Sequence, residues 1–411
     1  MARATAGVTF ADIEAAAARV RAAGLTTPQI ESVNLSALAD TRIFLKLENL
    51  QPTGSFKVRG ALNKLEPLGR EEARRGVIAM SAGNHAQGVA YHARRLGIAA
   101  TIVMPVDTPF TKIRDTERLG ATVILDGASL AEARAAMERL AQQRELVIVH
   151  PYDDVRTIAG QGTVALEFLA QFPDLDCLIV PIGGGGLIAG VAIAAKHLNS
   201  KIEIVGVETE LFPSMRNALT GETRPMGGRT TAEGIAVAQA GTLTRAIASD
   251  HVSDIVLVTE DEIERAMLAY IRDQKIVVEG AGAAPLAAVF KHPDRYHGRK
   301  IGLIVSGGNV DARLLSSILL RGLARDGYLV RIRVEIEDRP GELAEIAEII
   351  GESGGNIVEV VHQRLFHDIP VKQAEVDITL ETRDQNHVAA LLRALTEGGF
   401  PARMLGNTAS D

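Results

Sequence analysis

Between about residues 40 and 330 the chain repeats one pattern: a short apolar run, a turn, then a segment with helix spacing. The apolar runs are Val77 to Met80, Ala99 to Met104, Ala121 to Leu125, Leu146 to Val149, Cys177 to Val180, Ile202 to Val207, Val252 to Val258 and Lys300 to Val305. Strands this apolar, alternating with helices, argue for parallel sheets covered on both faces, so the expected fold class is α/β. Close to 300 residues is long for one core. Two lobes are therefore expected, with a ligand cleft between them. Local signals set several boundaries. Thr9 opens a short amphipathic helix, Gly120 stops one, and Thr259 with Glu262 forms a capping box.

Near Gly322 to Tyr328 the character changes. Val330, Ile332, Val334 and Ile336 alternate with Arg331, Arg333, Glu335 and Glu337, as in a half-buried strand. A helix follows through Leu343 to Ile350, then strands at about 356–366 and 373–381, a helix at about 384–397 and a last strand from Phe400 to Leu405. The order βαββαβ is the ferredoxin-like unit. It carries no catalytic cluster and reads as a binding or regulatory module. The expected division is a catalytic part over 1–321, with a small lobe at about 45–150, a linker at 322–328 and the module at 329–405.

The formal net charge is −7 over 411 residues, with both signs spread along the chain. That pattern suggests no nucleic-acid or lipid surface. Cys177 is the single cysteine, so no disulfide framework forms within one chain. It reads as a small core residue. Residues 177–195 carry no charge, but Pro181 and Gly183 to Gly186 interrupt them, which reads as strand, glycine loop and helix rather than a membrane span. The N-terminus carries Asp12 and Glu14 in its first apolar run and is not a signal peptide, so the cytoplasm is expected.

Four stretches carry chemistry. Gly54-Ser55-Phe56-Lys57-Val58-Arg59-Gly60 follows the strand-like segment Ile43 to Glu48, so Lys57 sits where a loop becomes a helix. A partly buried lysine can be a covalent handle for a carbonyl; a solvated one is only a surface charge. Gly183-Gly184-Gly185-Gly186-Leu187 joins a strand to a helix. Glycines let backbone approach a phosphate, and the helix start supplies N–H groups. The alternative is a tight turn, although four glycines exceed what a turn requires. Ser81-Ala82-Gly83-Asn84-His85 is a second such junction, whose amides could hold a carboxylate. Ser306-Gly307-Gly308-Asn309 ends a strand at the carboxyl edge, where α/β sheets bind ligands. A phosphate, a carboxylate and an aldehyde describe pyridoxal phosphate holding an amino acid.

These motifs closely resemble the fold-type II pyridoxal-phosphate enzymes, and within them the threonine ammonia-lyases (threonine dehydratases) with one C-terminal ACT domain. The resemblance covers essentially the whole chain. It implies a two-lobed catalytic domain similar to the tryptophan synthase β-subunit, followed by the ferredoxin-like ACT domain. It implies that Lys57 takes the cofactor's aldehyde and later acts as base at Cα, and that Phe56 packs on the cofactor. Asn84 would meet the pyridoxal hydroxyl, and the amides of Ser81 to His85 the substrate carboxylate. Gly183 to Leu187 would hold the phosphate, and Ser306 would face the pyridine nitrogen. Gly234, in Glu233-Gly234, and Glu279-Gly280-Ala281-Gly282 match segments lining the site, with less defined roles. The implied substrates are L-threonine and L-serine, and the implied effector isoleucine or valine, bound near Asp338, Gly341, Leu343 and Asn356. A homodimer or homotetramer is implied as well.

Serine racemases share these motifs but place a proton-donating serine where this chain has Ala82, which favours a lyase. The same relatives carry a cation site that Glu208 matches, but a later acid is replaced by Ser214. A divalent ion is therefore not expected, and a monovalent ion near Glu208 and Ser214 stays open. Threonine synthase is less consistent with the C-terminal module. A non-catalytic amino-acid sensor is less consistent with the retained Lys57.

Overall fold

A computed structural model describes residues 7–363 and 373–405. The contacts divide the chain into two compact units, Met1–Val310 and Asp311–Asp411.

The first unit holds two sheets. Its six-stranded sheet has the order Gln29–Glu31, Arg42–Leu47, Lys300–Val305, Cys177–Pro181, Glu203–Thr209, Asp254–Val258. The outer pair is antiparallel and the other pairings are parallel. The second sheet is wholly parallel, in the order Thr122–Leu125, Ala100–Met104, Val77–Met80, Val147–Ile148. Parallel strands need helical crossovers, and helices supply them here. The expected alternation is therefore present. Each sheet has its own apolar core, as expected when one core cannot grow over so long a segment. Cys177 is fully buried, and burial pushes its thiol up to about 12. The expected capping box of Thr259 with Glu262 and the stop at a left-handed Gly120 are present, and the helix expected to open at Thr9 also carries a capping box, with Asp12.

The strand Arg42–Leu47 is not half-solvated despite its alternating polar residues. Its Lys46 is completely buried, as is Glu48 just beyond. The strand lies inside the sheet, covered on both faces, and these charges are paired within the protein.

The second unit begins with the helix Ala312–Arg325, which runs across the expected boundary near 321. Then follow Leu329–Glu337, the helix Glu342–Glu352, Asn356–Gln363, Gln373–Glu381, the helix Gln385–Glu397 and Ala402–Met404. The sequence order is βαββαβ, and the sheet is antiparallel. Val330, Ile332, Val334 and Ile336 face its core. On the strands' other side Arg333 holds Asp377 at 2.6 Å. Of the strand expected at 356–366, residues 364–366 lie outside the described residues.

Candidate active site

Lys57 is the first residue of the helix Lys57–Leu65. The loop before it is zipped to the end of strand Lys300–Val305. Phe56 N–H donates to the Ser306 carbonyl at 3.0 Å, and Gly308 N–H to the Gly54 carbonyl at 2.9 Å. Gly54 has φ +68°, and a Cβ there would lie 2.2 Å from Asn309 Oδ1. Only glycine suits that position. Lys57 Nζ lies 5.1 Å from the centre of the Phe56 ring and donates to the Pro151 carbonyl at 3.0 Å. Burial pushes its pKa down to about 8, against the opposing pull of Glu279. Such an amine has a substantial neutral fraction near neutrality and can attack a carbonyl.

Two residues on, Arg59 is completely buried. It meets Glu48 at 2.7 and 2.8 Å and Glu167 at 2.6 and 2.8 Å. Lys46 reaches Glu167 at 2.5 Å. Two cations and two carboxylates thus balance beneath the lysine helix. Removing one partner of such a set strands a buried charge.

The glycine loop opens the helix Gly186–Leu198, and no side chain caps that helix. Gly185 has φ +95°. A Cβ on Gly184 would lie 2.3 Å from the Tyr152 ring, and one on Gly186 2.9 Å from Tyr152 Cα. Thr244 Oγ donates to the Gly184 carbonyl at 2.7 Å. Backbone N–H groups without a cap, in a cradle that side chains would fill, suit a phosphate. Pro151 and Tyr152 are adjacent, so one short segment joins Lys57 to this loop.

Asn84 begins the helix Asn84–Leu96, again with no side-chain cap. Its Nδ2 donates to Glu279 Oε1 at 2.8 Å, and its Oδ1 accepts from Asn309 Nδ2 at 2.8 Å. Ser81 Oγ accepts from Gly83 N–H at 3.2 Å. Ala82 packs on the small-sheet core. His85 is buried and pairs through Nε2 with the Val149 carbonyl at 2.8 Å. Burial first, then the Lys57 charge, pushes it down to about 3, so it is neutral. Its side chain supports the fold; its backbone belongs to the helix start.

Glycine contacts close the circle. A Cβ on Gly234 would lie 3.0 Å from Ala281 Cβ and 4.0 Å from Asn84 Nδ2, and one on Gly183 3.2 Å from the Gly234 carbonyl. Ser306 is buried, and the buried hydroxyl of Ser55 beside it lacks a protein partner. Lys57, Asn84, the glycine loop, Gly234 and Ser306 therefore surround one place. Its donors fit pyridoxal phosphate: an amine for the aldehyde, free amides for phosphate and carboxylate, and hydroxyls and an amide for the ring.

Glu208 has partners within the protein. Its oxygens accept from Met215 N–H at 2.7 Å, Arg216 N–H at 3.0 Å and Ser214 Oγ at 3.4 Å. Burial pushes it up to about 7. It caps the short helix Ser214–Thr220. Among the described residues, no group of three or more His, Cys, Asp or Glu could hold a metal ion. In the second unit Gly341 has φ +104° before the uncapped helix Glu342–Glu352. Asp338 precedes that turn, Leu343 is partly exposed, and Asn356 Nδ2 donates to Glu381 at 2.8 Å.

Pro151 and Tyr152 carried no sequence signal. Glu279 and Asn309 lay in recognised segments, but their bonds to Asn84 span 195 and 225 residues and were not legible.

Residues 20–307 match the model of the pyridoxal-phosphate dependent enzymes, and residues 324–397 match an ACT domain. An L-threonine ammonia-lyase from Thermotoga maritima is 43% identical, over 97% of this chain and 100% of its own. The solved maize serine racemase is 35% identical with TM-score 0.72, over 78% of this chain and 99% of that one. The processed form of threonine deaminase isoform 2 from Solanum lycopersicum is 34% identical with TM-score 0.71, over 77% and 89% respectively.

Proposed function

The chain belongs to the pyridoxal-phosphate dependent enzymes, and we propose that it converts L-threonine to 2-oxobutanoate and ammonia, with L-serine as a second substrate. The observation that carries this reading is the Lys57 amine, hydrogen-bonded to a neutral carbonyl and with its pKa lowered by burial, beside two uncapped helix starts. When bound, the cofactor supplies an electron sink that acidifies the substrate's Cα–H. Lys57 would hold its aldehyde, the amides of Gly183 to Leu187 its phosphate and Asn84 its hydroxyl, and Ser306 would serve its ring nitrogen. Phe56 and Gly234 line the site. The amides of Ser81 to His85 orient the substrate carboxylate. Lys57 Nζ, once free, removes the Cα proton as general base.

Loss of the β-hydroxyl is favoured over racemisation at Ala82. A methyl group has no proton to return to the far face of Cα. The principal alternative is a serine or hydroxyaspartate ammonia-lyase, or a racemase on the same scaffold, and the likeness to maize serine racemase supports keeping it. A non-catalytic amino-acid sensor would not need the Lys57 geometry.

Catalysis is assigned to the first unit and control to the ACT domain, with isoleucine or valine as effector near Asp338, Gly341, Leu343 and Asn356. A homodimer or homotetramer in the cytoplasm completes the reading. Among the described residues no helix is long and apolar enough to cross a membrane. Assaying 2-oxobutanoate release from L-threonine, with and without isoleucine or valine, tests both parts. Release that either amino acid suppresses supports lyase and control together. Release that neither affects removes the effector assignment. No release from yellow protein overturns the threonine reading.

A further inference from the structure

We infer that Glu279 is a positioning residue of this site, acting through Asn84: its carboxylate and Asn309 together fix which way the Asn84 amide faces. The inference rests on the reading of the site given above. A side-chain amide has one accepting and one donating end, and a flip exchanges them. Asn309 Nδ2 can only donate. It is held by the Thr53 carbonyl at 2.8 Å and gives a hydrogen bond to Asn84 Oδ1 at 2.8 Å. Glu279 Oε1 accepts from Asn84 Nδ2 at 2.8 Å. A flipped Asn84 would set its oxygen against the carboxylate and its NH2 against another NH2. Both contacts are repulsive, so one orientation remains. Asn84 Nδ2 then keeps a second N–H for a ligand.

Glu279 is itself rigidly placed. It is 8% exposed and sits at the cap position before the helix Gly280–Lys291. Its N–H donates to the Gly307 carbonyl at 3.1 Å. Room for its carboxylate comes from two glycines: a Cβ on Gly307 would lie 2.4 Å from Oε1, and one on Gly234 3.4 Å. The charges acting on it are Lys57, Glu233 and Lys112. Burial pushes its pKa up to about 7 while the Asn84 bond pulls it down. A buried acid this costly persists where its acceptor oxygen has a use.

The test is a double-mutant cycle on the full chain loaded with pyridoxal phosphate. Absorbance spectrum, cofactor dissociation constant and turnover are read for wild type, Glu279→Ala, Asn84→Ala and the double variant. Glu279→Ala is expected to shift the cofactor band and weaken cofactor binding about tenfold. In the Asn84→Ala background it should add almost nothing, and Glu279→Gln should restore most of the wild-type spectrum. An unchanged spectrum and affinity in Glu279→Ala, or effects that multiply in the double variant, would overturn the inference. If Glu279→Ala does not fold, Glu279→Met, which keeps the bulk but not the acceptor oxygen, carries the same comparison in both backgrounds. A spectral change in the wild-type background alone supports the inference; equal changes in both, or none, overturn it. Wild-type protein that takes up no pyridoxal phosphate would instead sink the functional reading, and this inference with it.

Discussion

Lys57 Nζ donates to the Pro151 carbonyl at 3.0 Å, and the next residue, Tyr152, lies against Gly184 and Gly186. One turn of chain therefore ties the reactive amine to the loop assigned to phosphate. Replacing Lys57 by Ala should lower turnover by about 10³-fold or more, since a general base alone contributes about 10² to 10⁴. Lys57→Arg should be equally inactive, because a guanidinium does not give up its proton near neutrality. Borohydride should fix the cofactor to wild type and to neither variant. Residual activity near wild type would remove Lys57 from the mechanism.

Gly184→Ala tests the cradle. Its Cβ would sit 2.3 Å from the Tyr152 ring, so ring or loop must move. Cofactor affinity, titrated by the yellow absorbance, should fall about tenfold or more, equivalent to about 1.4 kcal/mol. Unchanged affinity would place the phosphate elsewhere.

Arg59→Met tests the buried charge set. Glu48 and Glu167 would lose their bidentate partner, leaving Lys46 alone against two carboxylates. Urea denaturation should show a loss of about 3–5 kcal/mol. A loss below about 1 kcal/mol would mean that water reaches the cluster.

His85 gives a pH dependence whose sign follows from its depressed pKa. The unfolded imidazole binds a proton below about 6.5, and the folded one only near 3. Between these values the unfolded state holds more protons, so stability falls as pH falls. From pH 7 to pH 5 this one group should account for about 2 kcal/mol of the decline, at 1.36 kcal/mol per unit. In His85→Gln the decline measured by urea should be smaller by that amount. An identical decline in both proteins would contradict the burial of a neutral His85.

Much of this was legible because it is local. Strand, glycine turn and helix start are neighbours in sequence, so Gly183 to Leu187 and Ser81 to His85 announce uncapped N–H groups directly. The ferredoxin-like order was legible in the same way, from the alternation Val330, Ile332, Val334, Ile336 and the helix spacing after it. What was hidden is non-local. Lys46 and Glu48 lie in a strand-like segment, and nothing nearby in sequence shows that Arg59 and Glu167 will meet them in a dry interior. Glu279 and Asn309 acquire their meaning only when the fold brings them to the two ends of one amide. The helix Ala312–Arg325 runs into the expected linker and ends within it, a boundary that no local stop signal marks at Leu320.

The central claim is that this site expels a β-hydroxyl rather than inverting Cα. The most direct measurement follows, in one tube, 2-oxobutanoate formed and the Cα configuration of the remaining substrate, with L-threonine and cofactor-loaded protein. The account predicts one 2-oxobutanoate and one ammonium for each threonine consumed, with the remaining threonine still L at Cα and no product in Lys57→Ala. Yellow protein that accumulates the D-configured amino acid while releasing no oxoacid would contradict it.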